Sequence, residues 1–323
     1  PLRDFGVARR LAAQLKALSP DLVCAHSSKA GMLARIASKM AGIPCVFTAH
    51  GWAFTDGIPQ PKKSIFRALE VMTAPLVSRI ICVSSYDRGI AERAGISSKR
   101  MVTIENGVPD VDLSLRAAPK QDGPIRIAMV ARFAEPKDQQ LLITAVQDLD
   151  HIELDFVGDG PNLEAAQTLV AKLGMTSRVR FLGSRKDVPE ILANSHIFVL
   201  MSKFEGFPLS TLEAMRAGLP VLVSDVGGAG ESIVDGESGF LIPAGNAATL
   251  RERILLLTEK PERRELMGNA ARRRYESAFS ADTMVRRTLN LYDDVVNGRR
   301  STRPKYAQRS GGTVIRTTAE RVP

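Results

Sequence analysis

Two glutamates bracket the segment Glu205-Gly206-Phe207-Pro208-Leu209-Ser210-Thr211-Leu212-Glu213, which comes directly after the apolar run Ile197-Phe198-Val199-Leu200. Such a run reads as a buried strand, and the segment after it reads as a loop that becomes a helix. The first carboxylate then stands at a strand's carboxyl end and the second inside the next helix. In open α/β sheets that edge is where ligands bind, and a helix amino end offers unpaired N–H groups and partial positive charge to phosphate. Glu213 lies among Leu212, Ala214 and Met215, apolar neighbours that leave its carboxylate in need of a partner. The segment has the makings of half a nucleotide-sugar pocket.

Two cations sit at an equivalent edge. Arg132 comes just after the apolar run 127–130, and Lys137 stands five residues on, just ahead of a helix that starts near Asp138. Transfer of a sugar from a nucleotide diphosphate builds negative charge on the leaving phosphate, and preorganised cations and N–H donors aimed there are the main source of rate. Both side chains could reach a pyrophosphate, Arg132 as a planar fork and Lys137 as a point charge. The competing reading is a pair of solvated charges beside a loop. His50 ends the apolar run 45–49 and precedes Gly51, where an imidazole can donate to a sugar or steady the acceptor and leaving oxygens. His26, in His26-Ser27-Ser28-Lys29, ends a strand near the same edge and reads equally well as functional or structural. His151 and His196 lie at helix-to-strand transitions and read as structural.

Other chemistries find less support. Asp110-Val111-Asp112 falls in a linker and Asp148-Leu149-Asp150 at a helix exit, so neither D-x-D supports a metal-dependent transferase site. Gly158-x-Gly160 lacks the third glycine of a dinucleotide fingerprint, and no G-x4-G-K-[ST] occurs. No residue stands out as the carboxylate nucleophile of a retaining glycosidase.

The elements that must position these groups alternate. A helical period over 7–18 precedes a strand at 21–25, then helix 30–40, strand 45–48, helix 65–76, strand 79–83, helix 86–94 and strand 101–104. Alternation of this kind implies a parallel sheet with crossover helices. Residues 109–124, rich in Pro, Asp and small side chains, read as a linker. A second series then has strands at 125–130, 153–157, 179–182, 197–200 and 220–223. Two Rossmann-like α/β domains result.

With those residues in place the chain resembles the family 4 glycosyltransferases, retaining enzymes of the GT-B fold. Glu205 and Glu213 match the family's E-x7-E signature, and Arg132 and Lys137 lie where it keeps its basic diphosphate contacts. Gly158-Asp159-Gly160-Pro161 matches its strand-to-helix turn, Gly227-Gly228 with Glu231 resembles its G-G-x-P-E stretch, and Asn106-Gly107-Val108 matches the end of its first domain. The likeness runs from about residue 20 to residue 295 with the motifs in the family's order. It implies that Glu205 hydrogen-bonds the donor sugar's hydroxyls, that Glu213 accepts from the ribose, and that the backbone of Gly206, Phe207, Pro208 and Leu209 faces the diphosphate. His50 matches the family's His-Gly or His-Asp. Asp138 departs from it, since a glycine usually comes after the lysine. The resemblance also implies reaction on the donor's front face, with the acceptor guided by the leaving phosphate and without a metal or other cofactor.

The implied organisation is an N-terminal acceptor domain over 1–111, a C-terminal nucleotide-sugar domain over 112–280, a helix over 281–297 returning to the first domain, and a basic disordered tail over 298–323. The chain opens on Pro1 in what reads as a late helix. The family's opening strand, Gly-rich loop and next β-α units, roughly sixty residues, have no counterpart, so the first domain is expected to be incomplete.

Composition agrees with a globular two-domain protein of 323 residues, 44% hydrophobic and 24% charged. The apolar runs fall short of the ~20 residues of a transmembrane helix. Cys24, Cys45 and Cys82 lie in or beside strand-like runs and read as buried free thiols. The net charge of +9 is uneven: residues 1–120 carry 17 Lys and Arg against 9 Asp and Glu, and residues 298–323 carry 7 against 1. Nucleic acid is not the expected partner, because aromatics are only 5% and no recognised nucleic-acid motif occurs. An anionic membrane surface or a pyrophosphate-linked lipid suits the charge. The expectation is a hexosyltransferase-type enzyme, cytoplasmic or peripheral at the inner membrane face, that extends a glycan or lipid-linked acceptor in surface polysaccharide or glycolipid synthesis. The alternatives are a GT-B sugar-nucleotide 2-epimerase and a non-catalytic nucleotide-sugar-binding fragment.

Overall fold

A computed structural model describes residues 2–55, 58–119 and 123–301. In chain order the first unit comprises α1 (Leu2–Leu18), β1 (Val23–His26), α2 (Ser28–Ala41), β2 (Cys45–Ala49), α3 (Lys62–Thr73), β3 (Arg79–Cys82), α4 (Ser85–Ala94) and β4 (Met101–Thr103). The second comprises β5 (Ile125–Val130), α5 (Gln139–Ala145), β6 (Ile152–Val157), α6 (Leu163–Lys172), β7 (Val179–Phe181), α7 (Val188–Ala193), β8 (Ile197–Leu200), α8 (Leu209–Ala217), β9 (Val221–Ser224) and β10 (Gly239–Ile242). Three helices close the chain: α9 (Ala247–Thr258), α10 (Pro261–Ala278) and α11 (Ala281–Ser301).

Both sheets are parallel throughout, in the orders β1-β2-β3-β4 and β10-β9-β8-β5-β6-β7. The second order is that of a doubly wound dinucleotide-binding sheet, and its connections reverse direction between β5 and β8. Helices cover both faces, which is why β8 and β9 are buried at every position and read as unbroken apolar runs. Burying each such Val, Leu, Ile or Phe side chain contributes about 1.5–3 kcal/mol. β10 was not among the expected strands: Gly-Phe-Leu-Ile is short and comes after a turn-rich stretch, and only pairing with β9 makes it a strand.

In the first unit Arg35 fastens α2 to α3. Its fully buried guanidinium donates to Glu70 Oε2 at 2.6 Å and Thr73 Oγ1 at 2.9 Å, and lies 4.1 Å from the centre of the Phe47 ring. A buried charge needs such pairing. Of the thiols, Cys45 and Cys82 are buried, and burial pushes them up to about 11 and about 12. Cys24 is exposed instead, because β1 is an edge strand whose outward face lacks cover.

The stretch read as a linker is laced to the second unit. Arg272 grips both carboxylate oxygens of Asp110 at 2.6 and 2.7 Å, Arg216 donates to Pro109 O, and Arg264 donates to Pro119 O. Asp110 thus serves the hinge. Asp148, of the other D-x-D, is held by Arg251. Past the hinge, α11 packs Met284, Leu291, Tyr292 and Val295 against Val46, Ile81 and Ile104 of the first sheet. It runs to Ser301, four residues beyond the expected end at 297, and the remainder of the basic tail lies outside the described residues.

Candidate active site

The switch point between β5 and β8 is where two loops zip together. Residues leaving β5 meet residues leaving β8 in a short antiparallel bridge between Lys137 and Ser202. Asp138 N donates to Met201 O at 2.9 Å and Lys203 N to Pro136 O at 2.8 Å. This pairing carries Lys137 onto Glu205, whose Oε1 is ion-paired with Lys137 Nζ and accepts from Ser202 Oγ at 2.6 Å. Both partners are mostly shielded, at 18% and 11% side-chain exposure, so solvent screens them little. Asp138 caps α5 by accepting from Leu141 N at 3.1 Å. That cap explains how an aspartate is accommodated after the lysine.

Four residues beyond Glu205, α8 begins without a side-chain cap, its first amides left for a ligand. Pro208 carries no N–H, so the donors in this loop are Gly206, Phe207 and Leu209. Phe207 is buried and packs tilted, at 57°, against Phe279 with ring centres 5.5 Å apart, and its carbonyl accepts from Asn106 Nδ2 at 2.9 Å. Asn106, Gly107 and Val108 thereby tie the first unit to the donor loop, and a methyl on Gly107 would stand 2.5 Å from Ser280 O. Glu213 lies one turn into α8, its carboxylate makes no hydrogen bond among the described residues, and its carboxyl is raised by burial against a smaller opposing pull from Arg216.

Arg132 does not join the Lys137–Glu205 cluster. Its exposed side chain lines a neighbouring recess of about 340 Å³ with Val157, Gly158, Asp159, Ser184 and Arg185, at the carboxyl ends of β5, β6 and β7. Glycine is required at 158 and 160, where a Cβ would fall 2.1 Å from Ala131 O and 2.4 Å from Phe133 O. Ser184 and Arg185 carry no motif and were not foreseen.

The first unit closes over this edge. A methyl on Gly206 would sit 3.3 Å from His50 O and 3.5 Å from Asp87 Oδ2. Gly228 N donates to Glu205 O at 3.1 Å, and a methyl on Gly228 would lie 2.0 Å from Gly206 O and 2.5 Å from Ser84 Cβ. Glu231 reaches across the cleft and accepts from Ser85 N at 2.8 Å and Tyr86 N at 2.7 Å, capping α4 of the opposite unit. A carboxylate on a helix amino end is stabilised by the unpaired N–H groups and the dipole. Behind it Asp87 is buried, which pushes its carboxyl up to about 6; the Ser84 hydroxyl opposes that rise and the Glu231 charge adds to it. His50 is lowered by partial burial and by the nearby His26, and the residue remains exposed. His196 Nδ1 accepts from Arg126 N at 3.1 Å, a structural bond.

A glycosyl transferases group 1 profile matches residues 111–274, and a glycosyltransferase family 4 profile matches residues 1–111. An Escherichia coli UDP-Gal:alpha-D-GlcNAc-diphosphoundecaprenol alpha-1,3-galactosyltransferase is 30% identical over 301 residues, spanning 87% of this chain and 77% of that protein. The chain belongs to the family 4 glycosyltransferases. The O-antigen biosynthesis glycosyltransferase WbnH of Escherichia coli is 32% identical over 245 residues, 74% of this chain and 68% of its own. Among solved structures, Anabaena HepE in complex with UDP superposes with a TM-score of 0.81 at 22% identity, covering 89% of this chain and 82% of that one, and so shares the fold. This glycosyltransferase therefore has the GT-B architecture, two Rossmann-like domains facing a cleft, and is an enzyme of the hexosyltransferase type. The matched relatives give no support to the epimerase alternative.

Proposed function

We propose that this glycosyltransferase takes a hexose from a uridine-diphosphate sugar and adds it, with retention of configuration, to a glycan carried on a lipid diphosphate. The observation that carries the reading is the Lys137–Glu205–Ser202 cluster at the sheet's switch point, beside the uncapped start of α8. The donor's diphosphate lies over the α8 amides, with Lys137 turning from Glu205 onto the phosphate and Arg132 reaching it from the rim of the recess. Nucleobase and ribose occupy that recess and the approach to Glu213, whose carboxylate lacks a hydrogen-bond partner and gains one in the ribose hydroxyls. Glu205, freed from Lys137 and oriented by Ser202, accepts from the sugar's hydroxyls, and His50 faces the sugar from the opposite wall.

In the transfer the acceptor oxygen bonds to the anomeric carbon as the bond from that carbon to the β-phosphate oxygen breaks. The electron pair leaves with UDP, and the acceptor's proton passes to the leaving phosphate. Arg132, Lys137 and the α8 amides supply the positive charge that a metal would otherwise provide. Loss of one such donor costs about 3–4 kcal/mol, on the order of 10²–10³ in kcat.

The choice of UDP and of a diphosphate-linked lipid draws on the relatives, one of which is named for both. Among the described residues no helix is long and apolar enough to cross a membrane. Ile65, Phe66, Leu69 and Met72 are exposed on α3, and Lys62, Lys63 and Arg67 stand on the same helix. An apolar stripe between cations suits peripheral docking on an anionic membrane at its cytoplasmic face.

The test joins calorimetry with UDP, GDP and ADP to a transfer assay offering UDP-galactose, UDP-glucose and UDP-N-acetylglucosamine with a synthetic N-acetylglucosaminyl-diphospho-lipid. UDP binding together with an acceptor heavier by one hexose is the expected result. Binding of GDP or ADP alone, or extension only of acceptors lacking the lipid diphosphate, would overturn the reading.

A further inference from the structure

We propose that His26 is a positioning residue for sugar transfer, fixing the tautomer and orientation of His50 through a proton shared between the two rings. The inference rests on the reading that His50 faces the reacting sugar, and it adds a second histidine outside the motif segments that carry the family resemblance.

The two side chains meet because β1 and β2 are parallel neighbours in register, His26 lying opposite Thr48, two residues short of His50. His26 Nδ1 stands 3.0 Å from His50 Nε2, and the rings stack with centres 5.3 Å apart at 23°. Each histidine is succeeded at once by a residue of positive φ, Ser27 at 61° and Gly51 at 103°. For Ser27 that conformation is strained, and the strain turns the chain from β1 into α2 while leaving His26 at the sheet edge. His50 in turn lies against the donor loop, its carbonyl 3.3 Å from where a methyl on Gly206 would be.

A contact of 3.0 Å between two ring nitrogens requires one to donate and the other to accept. The touching nitrogens thus hold one proton, and the pair carries at most one positive charge while the contact lasts. If His26 Nδ1 donates, neutral His50 keeps its proton on Nδ1 and offers a donor to the cleft. If His50 Nε2 donates, its Nδ1 is a lone pair. His26 therefore decides which group His50 presents, as a second hydrogen bond decides the tautomer of any working imidazole. Of the charged side chains nearby, Asp87 on α4 stands with the His50 carbonyl against Gly206, and Lys29, shortly after His26 in the chain, is ion-paired with Asp4 of α1 at 3.6 Å.

The test is ¹⁵N-histidine NMR on the whole chain, whose four histidines are assignable by single substitution. The expected spectrum shows one neutral tautomer for His50. His26→Phe retains a ring without the nitrogen; His50 should then exchange between tautomers, with kcat lower by about tenfold to a hundredfold and donor KM within about threefold. His26→Asn places an amide where Nδ1 stood and should restore both the single tautomer and most of kcat. Mixed tautomers in the wild type, or a His50 spectrum unchanged by His26→Phe, would overturn the proposal. A loss of kcat that His26→Asn does not recover would do the same, marking His26 as packing alone. If the spectra respond as expected while neither histidine affects transfer, the positioning role falls together with the assignment of His50 to the reaction.

Discussion

Gly228→Ala is the perturbation that most directly tests whether the closed cleft is the reacting state. Gly228 has a negative φ that any residue adopts, so the effect of a methyl is purely one of space. That methyl would fall 2.0 Å from Gly206 O, 2.5 Å from Ser84 Cβ and 2.8 Å from Ser84 Oγ. An unstrained C···O contact needs about 3.3 Å and a C···C contact about 3.5 Å or more. The loop bearing Gly228 must therefore move by about 1 Å from both the donor loop at Gly206 and the start of α4 at Ser84, and the two shortest contacts are with a backbone oxygen and a Cβ, which cannot swing aside. A displacement of ~1 Å between reacting groups costs on the order of a hundredfold in rate, equivalent to about 2.7 kcal/mol of barrier. Glu213 and the recess beside Arg132 lie away from these contacts, but Gly206 belongs to the donor loop, so UDP affinity should fall along with kcat. Steady-state transfer, UDP calorimetry and a thermal melt on the same preparation separate the effects. A folded variant with kcat within about threefold of wild type would refute the argument, because the apposition of Gly228, Gly206 and Ser84 would then be irrelevant to turnover.

Glu213→Ala should weaken UDP binding by about tenfold to a hundredfold in calorimetry, the worth of hydrogen bonds to a charged group, and an unchanged Kd would remove Glu213 from the ribose. Lys137→Ala and Glu205→Ala should each abolish most transfer without loss of fold. Their double mutant should be far less than additive, since each group holds the other in the free enzyme; strict additivity in kcat/KM would show two independent sites. Asp87→Asn tests the buried carboxyl by pH. Its folded value, pushed up to about 6 chiefly by burial, exceeds that of the unfolded chain, so the folded state binds the extra proton. The aspartate's contribution is then fully present below about pH 4 and is lost as pH rises through about 6. The asparagine variant should gain up to about 3 kcal/mol over wild type at neutral pH and nothing at acid pH, and a pH-independent difference in denaturant midpoint would contradict it.

The parts of the fold legible in the sequence are those dictated by how parallel sheets are built. Strands buried on both faces, such as β8 and β9, advertise themselves as unbroken apolar runs, and the helices between them are implied by alternation. β10 did not, because its four residues gain strand character only from lying beside β9. Individual groups at strand ends were equally visible: Glu205, Lys137, Arg132 and His50 all lie where a loop leaves the sheet. Their mutual geometry was not. Lys137 and Glu205 are 68 residues apart, and only the bridge of residues 136–138 with 201–203 brings them together. The same bridge leaves Arg132, five residues earlier, in a separate recess. Glu231 offers a sharper case. Its motif was recognisable, but the helix it caps is 145 residues away on the other domain, and nothing in either local sequence announces the partner.

On the proposed function, the motif residues divide into groups that handle the donor and groups that let the domains touch. Lys137, Glu205 and the α8 amides form a charge-balanced cluster entirely within the second domain. Gly227 packs on the Glu205 backbone within that domain, whereas Gly228, Glu231 and Asn106 govern how the first domain meets it. Asn106 holds the Phe207 carbonyl, Glu231 holds the α4 amides, and Gly228 removes the side chain that would keep the two apart. In the proposed mechanism Lys137, neutralised by Glu205, costs little to hold at the switch point and turns to a diphosphate, which offers more negative charge than a single carboxylate. The donor then inherits a cleft whose closing contacts are already made by backbone and glycine, so binding energy need not be diverted to ordering side chains at the seam. That division explains why a G-G-x-x-E stretch without any nucleophile belongs with the E-x7-E segment: one arranges the charge, and the other brings the wall bearing His50 against it.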